Sequence, residues 1–302
     1  MLSQRDLLAS TALPIYDDLS KGAQLKTRNP KHDSRQRQII TDRGRNSTEF
    51  KASVRLAACI HGFLDSSVEQ PKHASLIILE YTLNSLHEKH KYRSLFTELV
   101  FGCLDEEADP ILTPQIIAFA PFEKAVRARG IDVEETRNTG KKIESLGINT
   151  PTGVGVNLGG KLGGEIEKKY TRRYAQLLQA SRHVSKDDLL GYDTVWWNMQ
   201  QNDELKDGIP TTIRVAVLLE RKNGDKFTAK FRMKLDVGTW YNALRKWNDF
   251  WGLCEIDDPI IFDPQLEPTK EVDGIIANNL GKLSDGSDLK TLGQFWNPVE
   301  QT

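Results

Sequence analysis

Apolar residues recur at alternate positions in both halves of residues 211–237, and this pattern constrains the fold more than any other feature of the chain. A period of two places successive side chains on opposite faces of a β-strand. The apolar set of the first half is Ile213, Val215, Val217 and Leu219, and that of the second half is Phe227, Ala229, Phe231, Met233, Leu235 and Val237. The stretch therefore predicts two strands, each with one apolar face and one polar face.

A three-residue loop at 222–224 would join these two strands as a β-hairpin, with Gly224 in the left-handed position of a bulge. This register pairs apolar with apolar positions, but it also sets Arg214 opposite Arg232. Like charges directly opposite each other destabilise a sheet unless an anion lies nearby. The basic face of the hairpin is therefore a candidate anion-binding site, and its residues are Arg214, Lys226, Lys230, Arg232 and Lys234. The alternative is an ordinary solvated sheet face, neutralised by Glu165, Glu167 or Glu220 on neighbouring strands.

Further segments predict strands of the same kind. Alternation is clear at 50–64 and at 154–170, and the run IIAFAP between Pro114 and Pro121 is typical of a short buried strand. The segment 73–86 fits either a strand or the start of a helix, because period alone does not separate the two.

Helical spacing appears in three places. Apolar residues at three-and-four spacing over 92–103 predict an amphipathic helix packed on the sheet, and a helical turn is expected near 170–178. A further helix is predicted at 238–252, where Trp240, Trp247 and Trp251 share one face. Such a stripe usually packs in a core, but indole rings also favour the lipid headgroup boundary, so these tryptophans are candidate membrane-interface residues.

Together these patterns predict a mainly β protein, a two-layer antiparallel β-sandwich of about eight to ten strands with one or two packed amphipathic helices. Basic residues cluster before residue 55 and acidic residues after residue 254. We therefore divide the chain into a flexible basic N-terminal arm (1–45), a β-rich domain (46–265) and an acidic, largely disordered C-terminal tail (266–302) whose pair Phe295-Trp296 docks it.

Charge and cysteine content set limits on the class of protein. The formal net charge of −1 favours no particular partner, and the three cysteines lie too far apart for a disulfide framework or paired zinc ligands. The N-terminus lacks the apolar core of a signal peptide, and no run approaches the roughly 20 apolar residues of a transmembrane helix. These features predict a cytoplasmic location.

Local catalytic and cofactor motifs are weak throughout the sequence. Residues 155–161 resemble the start of a phosphate-binding loop, but Leu162 stands where a Ser or Thr must reach magnesium. His87 and His90 have no third metal ligand nearby, and Asp257-Asp258 before Pro259 is typical of a turn. We therefore predict no catalytic residue, no cofactor and no metal site, although a catalytic group assembled from distant positions is not visible in a sequence.

A longer pattern resembles predicted proteins of filamentous fungi. It comprises Trp197, Asn202, the run Lys206-x-Gly208-Ile209-Pro210, then Arg214-x-Ala216-x-Leu218-Leu219-x-Arg221, and the later run Asp257-Asp258-Pro259-x-x-Phe262-Asp263-Pro264. The resemblance covers roughly residues 15–268 and implies a fungal source and a β-rich fold. It implies no activity, because that group has no assigned reaction.

The sequence therefore favours a non-enzymatic binding module whose basic hairpin engages an anionic membrane surface or an acidic protein. Nucleic acid is disfavoured, because no exposed aromatic residue alternates with the basic residues of the hairpin. The alternatives are a motif-less enzyme or accessory protein of a fungal biosynthetic pathway with a pocket in the sandwich, and an interaction protein of fungal self-recognition. The oligomeric state is not predicted.

Overall fold

The computed structural model describes residues 27–30, 35–43, 50–85, 91–105, 107–122, 124, 126–139, 166–185, 191–237, 257–269, 272–285 and 288–296. Within these ranges the chain forms twelve strands: β1 Ile39–Arg43, β2 Phe50–Phe63, β3 His73–Ser85, β4 Ser94–Cys103, β5 Gln115–Ala120, β6 Val126–Thr139, β7 Ile166–His183, β8 Thr194–Gln200, β9 Thr212–Arg221, β10 Phe227–Asp236, β11 Ile260–Phe262 and β12 Gln294–Trp296. Three short helical segments complete it, namely 3-10 turns at Pro110–Leu112 and Ala277–Asp285 and helix α1 at Asp288–Leu292.

The strands form two antiparallel sheets that pack face to face, which confirms the predicted two-layer sandwich. The first sheet has the order β1-β2-β3-β9, and β12 and β5 share the far edge of β9. The second sheet has the order β11-β10-β4-β8-β7-β6. Strands β2 and β5 match the sequence predictions for 50–64 and IIAFAP. The ambiguous segment 73–86 forms the strand β3 over His73–Ser85.

The core lies between the sheets and is filled by alternate residues of strands such as β2, β4, β8 and β10. Trp197 of β8 and Tyr81 of β3 are fully buried there, and Trp197 Nε1 donates a hydrogen bond of 3.2 Å to the carbonyl of Pro121. Burying one large apolar side chain stabilises a fold by about 1.5–3 kcal/mol. The period of two seen in the sequence therefore fixes which face of each strand is buried.

The predicted hairpin is wrong, because β9 and β10 belong to different sheets. Strand β9 pairs with β3 and β5, whereas β10 pairs with β4 and β11, and the connection 222–226 crosses from one sheet to the other. The two apolar faces meet across the core instead of side by side. The five residues 215–219 are buried on both faces of β9, which suits a central strand and not one arm of a surface hairpin.

Residues 94–103 form the strand β4 and not the predicted helix. Leu95, Thr97, Leu99 and Phe101 point into the core, so the period is two. The helical spacing arose because Phe96 and Val100, on the outer face, are also apolar. The helical turn expected near 170–178 is likewise wrong, since these residues lie within β7.

Both predicted terminal segments contain ordered parts of the β-domain. The arm predicted for 1–45 includes β1, which pairs with β2, and Arg37, whose buried guanidinium donates to the carbonyls of Ile39, Ile40 and Asp258. Three hydrogen bonds to backbone carbonyls satisfy this arginine and join residues 37–40 to the segment that precedes β11.

The tail predicted as disordered from 266 covers the outer face of the first sheet. Leu280, Leu283 and Leu289 are buried there against apolar residues of β2, β3 and β9. Strand β12 then adds to the edge of β9, so the expected docking through the pair Phe295-Trp296 occurs by backbone pairing. Composition suggested disorder because the contact relies on glycines and a few leucines rather than on a long apolar run.

Two predicted elements lie outside the described residues. One is the tryptophan-bearing helix at 238–252, with Trp240, Trp247 and Trp251. The other is most of the glycine-rich alternation at 154–170, of which the described part begins at β7.

Candidate functional site

The outer face of β10 carries three exposed basic side chains. Lys230, Arg232 and Lys234 alternate with Phe231 and Met233, which point into the core. Because alternate residues of a strand share a face, all three cations lie on one side of the second sheet. This part of the predicted anion-binding set is therefore brought together by the fold.

Two aromatic residues share this outer face, Phe96 on the strand that pairs with β10 and Trp196 on the strand beyond it. Phe96 of β4 is directly opposite Lys234, and Trp196 of β8 is opposite Glu98, which itself is opposite Arg232. The rings of Phe96 and Trp196 stack with centroids 6.2 Å apart and an angle of 27° between their planes. We call the set Phe96, Trp196, Lys230, Arg232 and Lys234 the basic–aromatic face.

The sequence reasoning missed both aromatic residues of this face. Each occupies an outward position of its strand, where a polar residue is usual for an antiparallel sheet open to solvent on one side. Their neighbourhood with β10 depends on the register between strands more than 30 residues apart in the chain. An apolar residue at an outward position was the signal available, and it was read as helical spacing in β4.

Arg232 keeps its positive charge at the surface although it has an acidic partner. Its Nη1 lies 3.1 Å from Glu98 Oε2, and the Arg232 side chain is 69% exposed while that of Glu98 is 14% exposed. An ion pair this exposed contributes at most about 1 kcal/mol. The pair holds the guanidinium against Glu98 and leaves most of the Arg232 side chain exposed to solvent.

Arg214 lies in the first sheet and therefore does not face Arg232. Glu80 of β3 is opposite it, and Glu80 accepts hydrogen bonds from Arg214 at 2.7 Å and from Arg55 at 2.5 Å. Desolvation raises the pKa of Glu80, but the hydrogen bonds and charges of the two arginines outweigh it and lower that pKa overall. The expected clash of like charges is thus replaced by an Arg–Glu–Arg cluster.

Lys226 is engaged at the start of β10. Its Nζ lies 3.1 Å from a carboxylate oxygen of Asp263, and the side chain is 32% exposed. The five predicted anion-binding residues therefore divide among three places, and three of them remain in the basic–aromatic face.

A second polar cluster lies at one end of the core. His61 Nε2 is 3.3 Å from Cys59 Sγ, and His61 Nδ1 is 2.8 Å from Ser75 Oγ. Burial raises the pKa of the Cys59 thiol to about 12, and burial together with the nearby charge of Arg221 lowers the pKa of His61 to about 4. Both groups are neutral at physiological pH, and a neutral buried thiol is a poor nucleophile, so we interpret these contacts as structural.

The described part of the chain forms neither a metal-binding cluster nor a membrane-spanning helix. There, no group of three or more His, Cys, Asp or Glu side chains is arranged to hold a metal ion. None of the helices found in those same ranges has the length and apolar character needed to cross a bilayer.

Comparison with known proteins places this chain in no family. No protein-family model matches it, and a search of curated proteins also finds no match. Among solved structures it is similar to the NetB toxin of Clostridium perfringens in the membrane-inserted form, with 9% identity and a TM-score of 0.26 over 66% of this chain and 82% of that chain. A similarity this distant carries no argument about function.

Proposed function

We propose that the protein is a non-enzymatic binding module whose basic–aromatic face contacts anionic lipid surfaces. The observation that supports this proposal is the stacked pair Phe96 and Trp196 on the outer side of the second sheet, which also carries Lys230, Arg232 and Lys234, with Lys234 directly opposite Phe96. Cations attract phosphate-bearing headgroups, and aromatic rings favour the boundary between headgroups and acyl chains. The basic–aromatic face offers both.

The charges supply most of the expected affinity. A basic residue near an acidic bilayer contributes about 1 kcal/mol. Because Glu98 offsets the charge of Arg232, the face contributes about 2 kcal/mol, or roughly thirtyfold in partitioning. The attraction fades beyond a Debye length of about 8 Å at physiological salt, so it requires the face to lie against the membrane. Binding should therefore weaken steeply with ionic strength.

The test is co-sedimentation of the full chain with vesicles of phosphatidylcholine alone or with phosphatidylserine, at two salt concentrations. We expect binding only to acidic vesicles, and we expect Lys230→Glu/Lys234→Glu to weaken it by about a thousandfold, because four units of charge change at about 1 kcal/mol each. Trp196→Ala should weaken binding less and leave its salt dependence in place, because this substitution removes the interfacial ring and no charge.

A matched control changes the same net charge elsewhere. Lys51 on β2 and Lys222 on the connection between the sheets are both exposed, so Lys51→Glu/Lys222→Glu should bind acidic vesicles nearly as well as the unmodified chain. Equal losses in the two double variants would show that net charge, and not the face, controls binding. No binding to any vesicle, with binding to an acidic protein or polyanion instead, would overturn the lipid proposal.

The proposal also includes a cytoplasmic location and a fungal source. Cys59 and Cys103 are free thiols, which supports a cytoplasmic, reducing location. The fungal source rests on the sequence resemblance to proteins of filamentous fungi.

A further inference from the structure

A small cavity opens where the connection between β9 and β10 passes the end of β4. Its volume is about 270 Å³, and Leu104, Leu112, Pro114 and Phe227 form an apolar part of its wall. Arg221, the last residue of β9, also lines it. The cavity is separate from the basic–aromatic face, because Arg221 and Phe227 both point towards the core side of their sheets.

Arg221 is buried, and its hydrogen bonds are incomplete. The residue is 5% exposed; its Nη1 donates to the carbonyl of Asn223 at 2.8 Å and its Nη2 to the carbonyl of Ala74 at 3.3 Å. Its Nε is buried and has no hydrogen-bond partner. The guanidinium carbon lies 5.8 Å from the centre of the Phe227 ring. A buried donor without a partner is uncommon in a folded protein and requires an explanation.

The charge of Arg221 is also uncompensated within the described residues. Arg55, Arg214 and Arg232 each have a carboxylate at 2.5–3.1 Å. Buried Arg37 lies within the field of Asp257 and Asp258. No carboxylate of the described chain lies within ion-pair distance of Arg221, although a buried cation without a partner is strongly destabilising.

The two carboxylates that line the same cavity accept hydrogen bonds from residues two positions away in the chain. Asp105 accepts from the backbone N–H of Glu107 at 3.0 Å, and Asp225 accepts from the side-chain amide of Asn223. Lys226, which also lines the cavity, pairs with Asp263. Neither aspartate satisfies Arg221, so the cavity presents a buried cation next to an apolar wall.

We propose that this cavity binds a small organic acid, with its carboxylate on Arg221 and its apolar body against Leu104, Leu112 and Phe227. A carboxylate matches the donors of a guanidinium and supplies the missing negative charge. The volume suits a compact ligand about the size of one substituted ring.

The experiment titrates the full chain with benzoate, and with inorganic phosphate as an anion that lacks an apolar body. Binding is followed by calorimetry and by the shift in Tm. We expect benzoate to bind with a Kd on the order of 1 mM, and phosphate to bind at least about tenfold more weakly. Arg221→Met should weaken benzoate binding about tenfold or more, because it removes the charged donors.

Two further variants keep the test decisive. Ala108→Phe fills the cavity and retains Arg221, so it should abolish benzoate binding in a folded protein even if Arg221→Met does not fold. Arg182→Met is the matched control, because Arg182 also donates to two backbone carbonyls and lies 4.6 Å from an aromatic ring, that of Tyr192, but does not line the cavity.

Several outcomes would overturn the assignment. Absence of benzoate binding to the unmodified chain at about ten times the expected Kd would reject the site, because such a concentration would occupy most of it. Equal loss in Arg182→Met would show a general effect of removing an arginine. Unchanged benzoate affinity in Ala108→Phe would place the ligand elsewhere. Loss of acidic-vesicle binding alone bears on the basic–aromatic face and leaves the cavity assignment intact.

Discussion

Gly62 on β2 is the position where one added methyl group should disturb the segment 277–285, which packs on the outer face of the first sheet. A Cβ built on Gly62 would lie 1.9 Å from the carbonyl oxygen of Ala277 and 2.6 Å from its carbonyl carbon. Real Cβ atoms essentially never come closer than 3.0 Å to another heavy atom, so Gly62→Ala must move the two backbones apart by about 1.1 Å. Backbone, unlike a flexible side chain, yields to such a shift only by breaking its own contacts.

The stability lost in Gly62→Ala can be estimated for two structural responses, undocking of the segment 277–285 and overpacking with the segment in place. If the segment 277–285 undocks, Leu280 and Leu283 lose their burial, worth about 3–6 kcal/mol together. The hydrogen bonds from the Ser66 and Gly281 amides to the carbonyls of Asn278 and Leu64 would break as well. If the segment stays docked, overpacking costs about 1–3 kcal/mol. The chain adopts the response that costs less, so we expect the free energy of unfolding to fall by about 1–3 kcal/mol.

Urea unfolding of the unmodified chain, of Gly62→Ala and of Gly224→Ala measures this difference. Gly224 is the control, because a Cβ there meets no heavy atom within 4 Å. Hydrogen exchange of the Gly281 amide reports whether the segment loosens, since that N–H donates to Leu64 at 2.8 Å. A free energy of unfolding for Gly62→Ala within about 0.5 kcal/mol of the Gly224→Ala value would refute the argument from close approach.

Three other expectations follow from buried groups. Burial lowers the pKa of His61 to about 4, so the unfolded chain binds the proton first, near pH 6.5, and stability falls by about 1–2 kcal/mol between pH 7.5 and pH 5; the same fall in His61→Gln would contradict this. Cys59, with its pKa raised to about 12, should react with a thiol reagent over about a thousandfold more slowly in the folded than in the urea-unfolded chain, measured with Cys103 and Cys254 replaced by Ala; equal rates would disprove its burial. Trp197→Phe should cost about 1–3 kcal/mol in urea unfolding, because the Pro121 carbonyl loses its donor, and an unchanged midpoint would show that this bond contributes nothing.

The faces of the strands were predictable from the sequence, but their partners were not. Alternation in β2 and β10 identified which residues are buried, because a period of two is a local property. Two arrangements of β9 and β10 satisfy the same alternation: side-by-side pairing in one sheet, and packing face to face across the core. The choice is made by β3, β4 and β5, whose pairing with them is set by contacts distant in the chain.

The contacts of the charged residues in the candidate site were likewise not predictable from the sequence. The sequence placed Arg214 opposite Arg232 and required an anion between them. In the structure each has its own cross-strand carboxylate, Glu80 for Arg214 and Glu98 for Arg232. Opposite charges at directly opposed positions stabilise a sheet. The register between strands decides which charges are opposed, and no local pattern in the sequence specifies that register. Here it separates Arg214 and Arg232 into two ion pairs on different sheets.

What remains unexplained by sheet stability alone is the outer pair Phe96 and Trp196. Polar residues at both positions would satisfy the alternation, solubilise the face and avoid a half-exposed aromatic stack. Departures from local consistency are expected at functional positions, where a less stable choice is retained for another reason. Lys234, directly opposite Phe96, places a cation at the edge of this stack, and that is the combination an interfacial lipid contact requires. The same argument makes Trp196→Thr a second test of the face: if the aromatic ring serves binding and not folding, this substitution should lower affinity for acidic vesicles while leaving the urea midpoint unchanged or raised.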